Sequence, residues 1–172
     1  SVQPDMMATA KAITNGYFPF GAVMLSEKVV ETFEADETGM ANIGTGYTYS
    51  GHPVGAAAAI ACLAETERLQ VQTNAAARGA ELFAGLQGLA QSHDIIGDVR
   101  GGHGLMTGIE IVSDKAAKTP MDMTTMKRIH QTAYKAGAMV RLGAHNILMS
   151  PPLTISEKEV QTILDALDEG FS

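Results

Sequence analysis

The chain has 172 residues, 45% of them hydrophobic and 18% charged, the composition of a folded globular protein and not of a disordered one. Its net charge is -7, from 12 Lys+Arg against 19 Asp+Glu, and no Lys/Arg cluster occurs, which argues against nucleic-acid binding. A lone cysteine, Cys62, excludes an internal disulfide framework; no apolar run approaches the roughly 20 residues of a membrane span, and no signal peptide opens the chain. A reducing, cytoplasmic location is the expectation.

Met6-Met7-Ala8-Thr9-Ala10-Lys11-Ala12-Ile13 reads as a short buried strand or its end, broken by Thr14-Asn15-Gly16. Gly21 to Leu25 is an apolar run of strand length. Residues 26–34 predict a short amphipathic helix with Val29, Val30 and Phe33 on one side and Ser26 at its start. Residues 35–52 have no helical period and carry Gly39, Gly44, Gly46 and Gly51; a loop that long in a compact protein is functional or disordered. Pro53 opens an Ala-rich helix to about Leu69, in which Cys62 is expected to be buried.

Residues 74–91 predict another helix, with Leu82, Phe83, Leu86 and Leu89 at helical spacing. Two strands, Ile95 to Val99 and Leu105 to Val112, flank the turn 100–104. A helix over 122–136 stops at Gly137, short strands follow at 138–142 and 146–149, and Pro151-Pro152 ends their pairing. Ser156 with Glu159 is a capping box that opens a last helix to about Gly170. Helices and strands alternate from residue 74 onward, an α/β or α+β layer, and the domain boundary is expected near residue 70.

Lys11 stands among small and apolar neighbours, with no acidic residue within five positions. Held there, its charged form would be disfavoured and its neutral amine available for Schiff-base chemistry; the plainer reading is a surface lysine at a strand end. Thr45-Gly46-Tyr47-Thr48-Tyr49-Ser50-Gly51-His52-Pro53 sets hydroxyls and glycine backbone just before a helix N-terminus, which suits a phosphate or is simply a capped Gly-rich loop. Gly102-His103-Gly104 is half of a dinucleotide fingerprint without its context and reads as a hairpin turn. The five histidines lack metal-ligand spacing, so no metal is expected. Arg141, in an apolar strand, either salt-bridges or recognises a carboxylate with its planar fork.

Four of these segments, in order and in register over nearly the whole chain, resemble the class III aminotransferases. Pro4 to Gly16 with Pro19-Phe20-Gly21-Ala22-Val23 resembles the segment around the lysine that binds pyridoxal 5'-phosphate (PLP), and Gly46 to Pro53 the phosphate-contacting loop. Val99-Arg100-Gly101 with Gly104 to Glu110 is similar to the hairpin of the small domain, and Val140-Arg141-Leu142 with Ser150-Pro151-Pro152-Leu153 to the substrate-side strand. Many members have His-Gly where this chain has Thr45-Gly46.

The resemblance implies an α/β fold, PLP-dependent transferase fold type I, aspartate aminotransferase-like. Residues 1–69 would be the C-terminal part of the PLP-binding large domain and 70–172 an α+β small domain. It implies Lys11 as the catalytic, cofactor-holding lysine. Thr48 and Tyr47 would lie at the cofactor, Thr48 reaching the phosphate held by the neighbouring subunit of a homodimer. Arg141 and Tyr17 would lie on the substrate side, Arg141 binding the acceptor carboxylate and swinging away for apolar amines. The stretch Thr14 to Pro19 and Tyr47 look closest to the amine:pyruvate (omega-transaminase) branch, which moves an amino group from an amine or omega-amino acid to a keto acid, usually pyruvate. The alternatives are 4-aminobutyrate, ornithine or beta-alanine aminotransferases, a mutase or decarboxylase, or a non-catalytic α/β interaction module. In the family an N-terminal portion supplies the aspartate on the pyridine nitrogen, the ring-stacking aromatic and the Gly-Ser phosphate turn. None precedes Lys11 here, so residues 1–172 alone are expected to be inactive.

Overall fold

The computed structural model describes residues 2–172, and the chain divides after Leu69 into two compact units.

In the first unit, β1 (Met6–Ala10) pairs antiparallel with β2 (Gly21–Leu25), Ala8 opposite Val23. A single 3-10 turn over Lys11–Ile13 leads out of β1. The helix α1 (Glu27–Glu34) follows β2. Ser26 stands at its N-cap, but its side chain makes no capping bond; the Ser26 backbone N–H donates to the Asp5 carbonyl at 2.8 Å and so ties the helix start to the strand pair. After the loop comes α2 (Pro53–Arg68), with Pro53 in the first turn, where its missing N–H is not needed.

Two expectations are corrected here. The strand around Lys11 is not buried: β1 is exposed along nearly all of its length, because within this unit the two strands have no layer packed over either face. Cys62 is half-buried, because only Gly55 and Ala59 of α2 are fully covered.

The second unit opens with α3 (Val71–Ser92), three residues earlier than the apolar spacing suggests, after Gln70 in a left-handed conformation. Its sheet has the order β3-β4-β7-β6, all neighbours antiparallel: β3 (Ile96–Arg100), β4 (Thr107–Asp114), β6 (Arg141–Leu142) and β7 (Asn146–Met149). A two-residue β5 (Thr119–Pro120), absent from the sequence reading, pairs with the end of β4. The strand expected over 138–142 is reduced to its last two residues. The helix α4 (Met123–Lys135) precedes it and α5 (Glu157–Phe171) ends the chain.

Burial alternates along β4, with Thr107, Ile109 and Ile111 inside and Gly108 and Glu110 half-exposed. The inward face meets the helices: Leu82 and Leu86 of α3, Met126 and Ile129 of α4 and Leu167 of α5 are fully buried against Ile109, Ile111 and Ile147. The outward face carries Asp98, Arg100, Glu110, Leu148 and Arg141. Gly137, at φ 108, ends α4 in a conformation that a side chain would resist. The capping box forms as expected: Ser156 Oγ accepts from the Glu159 N–H at 3.3 Å, and the Glu159 carboxylate accepts from the Ser156 N–H at 2.7 Å.

Candidate active site

The chain leaves β1 at Lys11 with φ 53, a left-handed conformation that few residues other than glycine adopt. Asn15 (φ 49) and Gly16 (φ 80) repeat it within the same turn. Thr14 pins this turn: it is 1% exposed, and its hydroxyl donates to the Phe18 carbonyl at 2.6 Å. Such an unfavourable backbone persists where surrounding bonds over-determine it, and such positions concentrate at functional sites. The Lys11 side chain is exposed, and its amine has no ion pair or hydrogen bond among the described residues. The desolvated setting expected for it is therefore not made by the residues of its own unit.

Thr48 lies in the turn Tyr47–Ser50, which is closed by the Ser50 N–H donating to the Tyr47 carbonyl (2.9 Å) and the Tyr47 N–H donating to Ser50 Oγ (3.0 Å). The Thr48 hydroxyl has no partner among the described residues, and Tyr47 is 82% exposed. Next in the chain, His52 Nδ1 accepts from the Val54 N–H at 3.3 Å and caps α2.

The Lys11 turn and this loop meet through residues that sequence reasoning missed. The Phe18 and His52 rings lie 5.0 Å apart. Gly55 is covered by Phe18 and Phe20 so closely that a Cβ there would overlap Phe20. A Gly two positions after a helix-opening Pro, with aromatics across the turn, was the available signal. Lys11, Tyr17, Tyr47 and Thr48 share this unit with no side-chain hydrogen bond or ring contact between them, and Tyr17 is 83% exposed.

Arg141 belongs to the second unit. It lies exposed at the edge of the sheet, in register with Leu148, and lines a groove of about 790 Å3 with Met139, Leu148, Pro151, His130 and Glu159. Of its two sequence readings, the salt bridge does not form among the described residues, and the guanidinium is uncommitted. Hydrogen bonds from the Ser156 N–H and hydroxyl hold the Glu159 carboxyl below its usual range, so that charge is engaged in the cap. No cluster of three or more metal-binding side chains occurs among the described residues, and no helix is long and apolar enough to cross a membrane.

The donor set suits a phosphorylated aldehyde cofactor such as PLP. An uncommitted primary amine stands on a constrained backbone, and a free hydroxyl stands on a loop packed to the same turn. In the second unit, taken by itself, the Arg141 guanidinium is free for a carboxylate.

Comparison with known proteins agrees. The "Aminotransferase class-III" family model matches residues 1–171. An adenosylmethionine-8-amino-7-oxononanoate aminotransferase of Staphylococcus aureus is 35% identical over 95% of this chain and 36% of its own length. A taurine–pyruvate aminotransferase of Bilophila wadsworthia is 33% identical over 100% of this chain and 39% of its own. Among solved structures, a PLP-bound amine transaminase from an uncultivated Pseudomonas species superposes with a TM-score of 0.88 at 39% identity, over 98% of this chain and 38% of that one. An (S)-enantioselective omega-transaminase from Thermomicrobium roseum gives 0.85 at 36% identity, over 98% and 37%. The chain thus spans under two-fifths of the length of these relatives, and its fold is that of the PLP-dependent transaminases of fold type I. An unpaired lysine on a left-handed turn, the loop packed to it and a match along residues 1–171 lead to one assignment: this chain belongs to the class III aminotransferase family.

Proposed function

We propose that this chain is the cofactor-lysine and small-domain part of a transaminase that moves an amino group from an amine or omega-amino acid to a keto acid, with pyruvate as acceptor. The observation that carries the reading is Lys11: an amine free of partners, on a backbone conformation that costs energy and that the Thr14–Phe18 bond maintains. PLP, when bound, supplies the electron sink that stabilises negative charge on the substrate carbon.

Lys11 Nζ would hold the cofactor at rest. As a free amine the same nitrogen would be the general base that takes the proton from the substrate carbon, and as an ammonium it would return a proton to the acceptor-derived carbon. Thr48 would donate its hydroxyl to the cofactor phosphate across a homodimer, with Tyr47 beside it; the exposure of both supports contacts made outside this unit. Tyr17 and Arg141 bound the substrate, Arg141 taking the acceptor carboxylate with its fork. The single, half-buried cysteine supports a reducing compartment, the cytoplasm.

The test is reduction of the full-length enzyme with borohydride in the presence of PLP, followed by mass spectrometry. The pyridoxyl mass is expected on the peptide carrying Lys11 and absent in Lys11→Ala. A label on another lysine, or none, overturns the assignment. Turnover of 4-aminobutyrate or ornithine in preference to amines, with a non-pyruvate acceptor, would move the enzyme to another branch. Relatives named as gamma-aminobutyrate transaminases, 30% identical over 99% of this chain, make that comparison the informative one.

A further inference from the structure

The outward face of the second unit's sheet carries four charged side chains in two adjoining rows, placed by strand register. Arg100 pairs with Gly108, Gly108 with Leu148, and Leu148 with Arg141. One step along, Asp98 pairs with Glu110, and Glu110 with Asn146. Two arginines therefore stand at the ends of one row and two carboxylates in the next.

The charges are not shared evenly. Arg100 takes both carboxylates: Nε donates to Asp98 Oδ2 at 2.7 Å and a terminal nitrogen to Glu110 Oε2 at 3.2 Å. Arg141 takes neither and has no ion pair among the described residues. Strand spacing of about 4.8 Å puts the Arg141 and Glu110 backbones roughly 12 Å apart on the diagonal, within the combined reach of the two side chains. Gly108 presents no side chain of its own, and the flexible Leu148 side chain is the one that lies beside it on this face.

We propose that Arg100 is a positioning residue for acceptor binding: by holding Asp98 and Glu110 it leaves Arg141 free to bind a substrate carboxylate. This rests on the role assigned to Arg141 above. Without Arg100, two unpaired carboxylates share the face with Arg141. Glu110 then competes with substrate for its guanidinium, and both carboxylates repel an incoming carboxylate. Arg100 itself touches neither substrate nor cofactor in this scheme.

The experiment uses the full-length, PLP-loaded enzyme and butyrate, an unreactive monocarboxylate, as probe. Calorimetric Kd for butyrate is measured alongside KM and kcat for pyruvate and for an uncharged aldehyde acceptor. In Arg100→Gln the butyrate Kd and pyruvate KM are expected to rise ~5-fold, the size of effect that exposed ion pairs produce. Aldehyde KM and kcat stay unchanged. Arg100→Lys keeps the charge and retains most of the affinity. Adding Asp98→Asn and Glu110→Gln to Arg100→Gln removes the competitors and restores binding. Leu148→Glu, which adds a carboxylate beside Arg141 while leaving Arg100 in place, weakens butyrate binding in the same way and needs no change to the network.

Unchanged butyrate affinity in Arg100→Gln, with affinity lost in Arg141→Gln, overturns the role of Arg100 and leaves the functional reading intact. Unchanged affinity in Arg141→Gln overturns that reading itself. Equal losses for butyrate and aldehyde, not restored by the added substitutions, show a merely structural role and also overturn the proposal.

Discussion

Charge placement at single residues follows from which hydrogen bonds each carboxylate accepts. Asp122, the N-cap of α4, accepts from the Thr124 and Thr125 N–H groups at 2.9 and 3.0 Å and from the Thr125 hydroxyl at 2.7 Å. The Thr125 hydroxyl, with the backbone donors behind it, holds the carboxyl below its ordinary value. A depressed folded value means stability that is complete above the unfolded carboxylate range and is lost as pH falls through the folded value. Asp122→Ala is therefore expected to lower the melting temperature at neutral pH. The gap from the parent protein should narrow as pH falls below about 5, where carboxylates begin to protonate. A gap independent of pH, followed by thermal melts from pH 7 down to 2, would contradict a charged cap. Asp122 before an apolar-periodic run is a signal readable from sequence, whereas the split of Asp98 and Glu110 to Arg100 and not to Arg141 is not. Strand register decides that, and register is a tertiary property.

Among the elements, α3 shows how a glycine can be dictated by a neighbour far away in the chain. Gly79 lies on its buried face, and a Cβ there would overlap the carbonyl of Gly104, in the turn between β3 and β4. Backbone on both sides cannot move aside as a flexible side chain could. Gly79→Ala raises helix propensity yet is expected to destabilise the second unit by about 1–3 kcal/mol, the usual cost of overpacking. Gly88, on the same helix with open space around it, is the control: Gly88→Ala should be neutral or stabilising by up to about 1 kcal/mol. Urea denaturation of both variants separates the cases, and equal effects would refute the contact. The helices α2 to α5 and strands β2 to β4 and β7 were readable from spacing, Pro53, Gly137 and the Ser156–Glu159 box, because those signals act within one or two turns of chain. The two-residue β5 was not, since it exists only by pairing with the end of β4.

For the whole molecule, the two units differ in how far they satisfy themselves. Every residue of the buried core cluster lies between Ala75 and Phe171. In the first unit Met6, Val23, Met40, Ile43, Ile60 and Leu63 are large apolar side chains left exposed. Residues 70–172 expressed alone are expected to unfold in one cooperative urea transition with a stability of roughly 5–15 kcal/mol, as domains of that size do. Residues 2–69 alone should show no such transition. A broad, non-cooperative melt of the 70–172 segment would show that its core is incomplete. With Lys11 on an uncovered strand end, the 172-residue chain by itself is also expected to turn over no amine.

Sequence by itself determined the local devices: where helices start and stop, which strand faces are apolar, and which lysine, loop and arginine bear a family's motifs in order. Those depend on bonds and sterics within a few residues. Tertiary structure decided what those devices can do. It placed Lys11 on a left-handed turn pinned by Thr14, joined the loop to that turn through Phe18 and His52, and left Arg141 unpaired while Arg100 took the carboxylates. Each of these is a contact between residues brought together by strand register or helix packing, and such contacts have no signature in the spacing of a single segment.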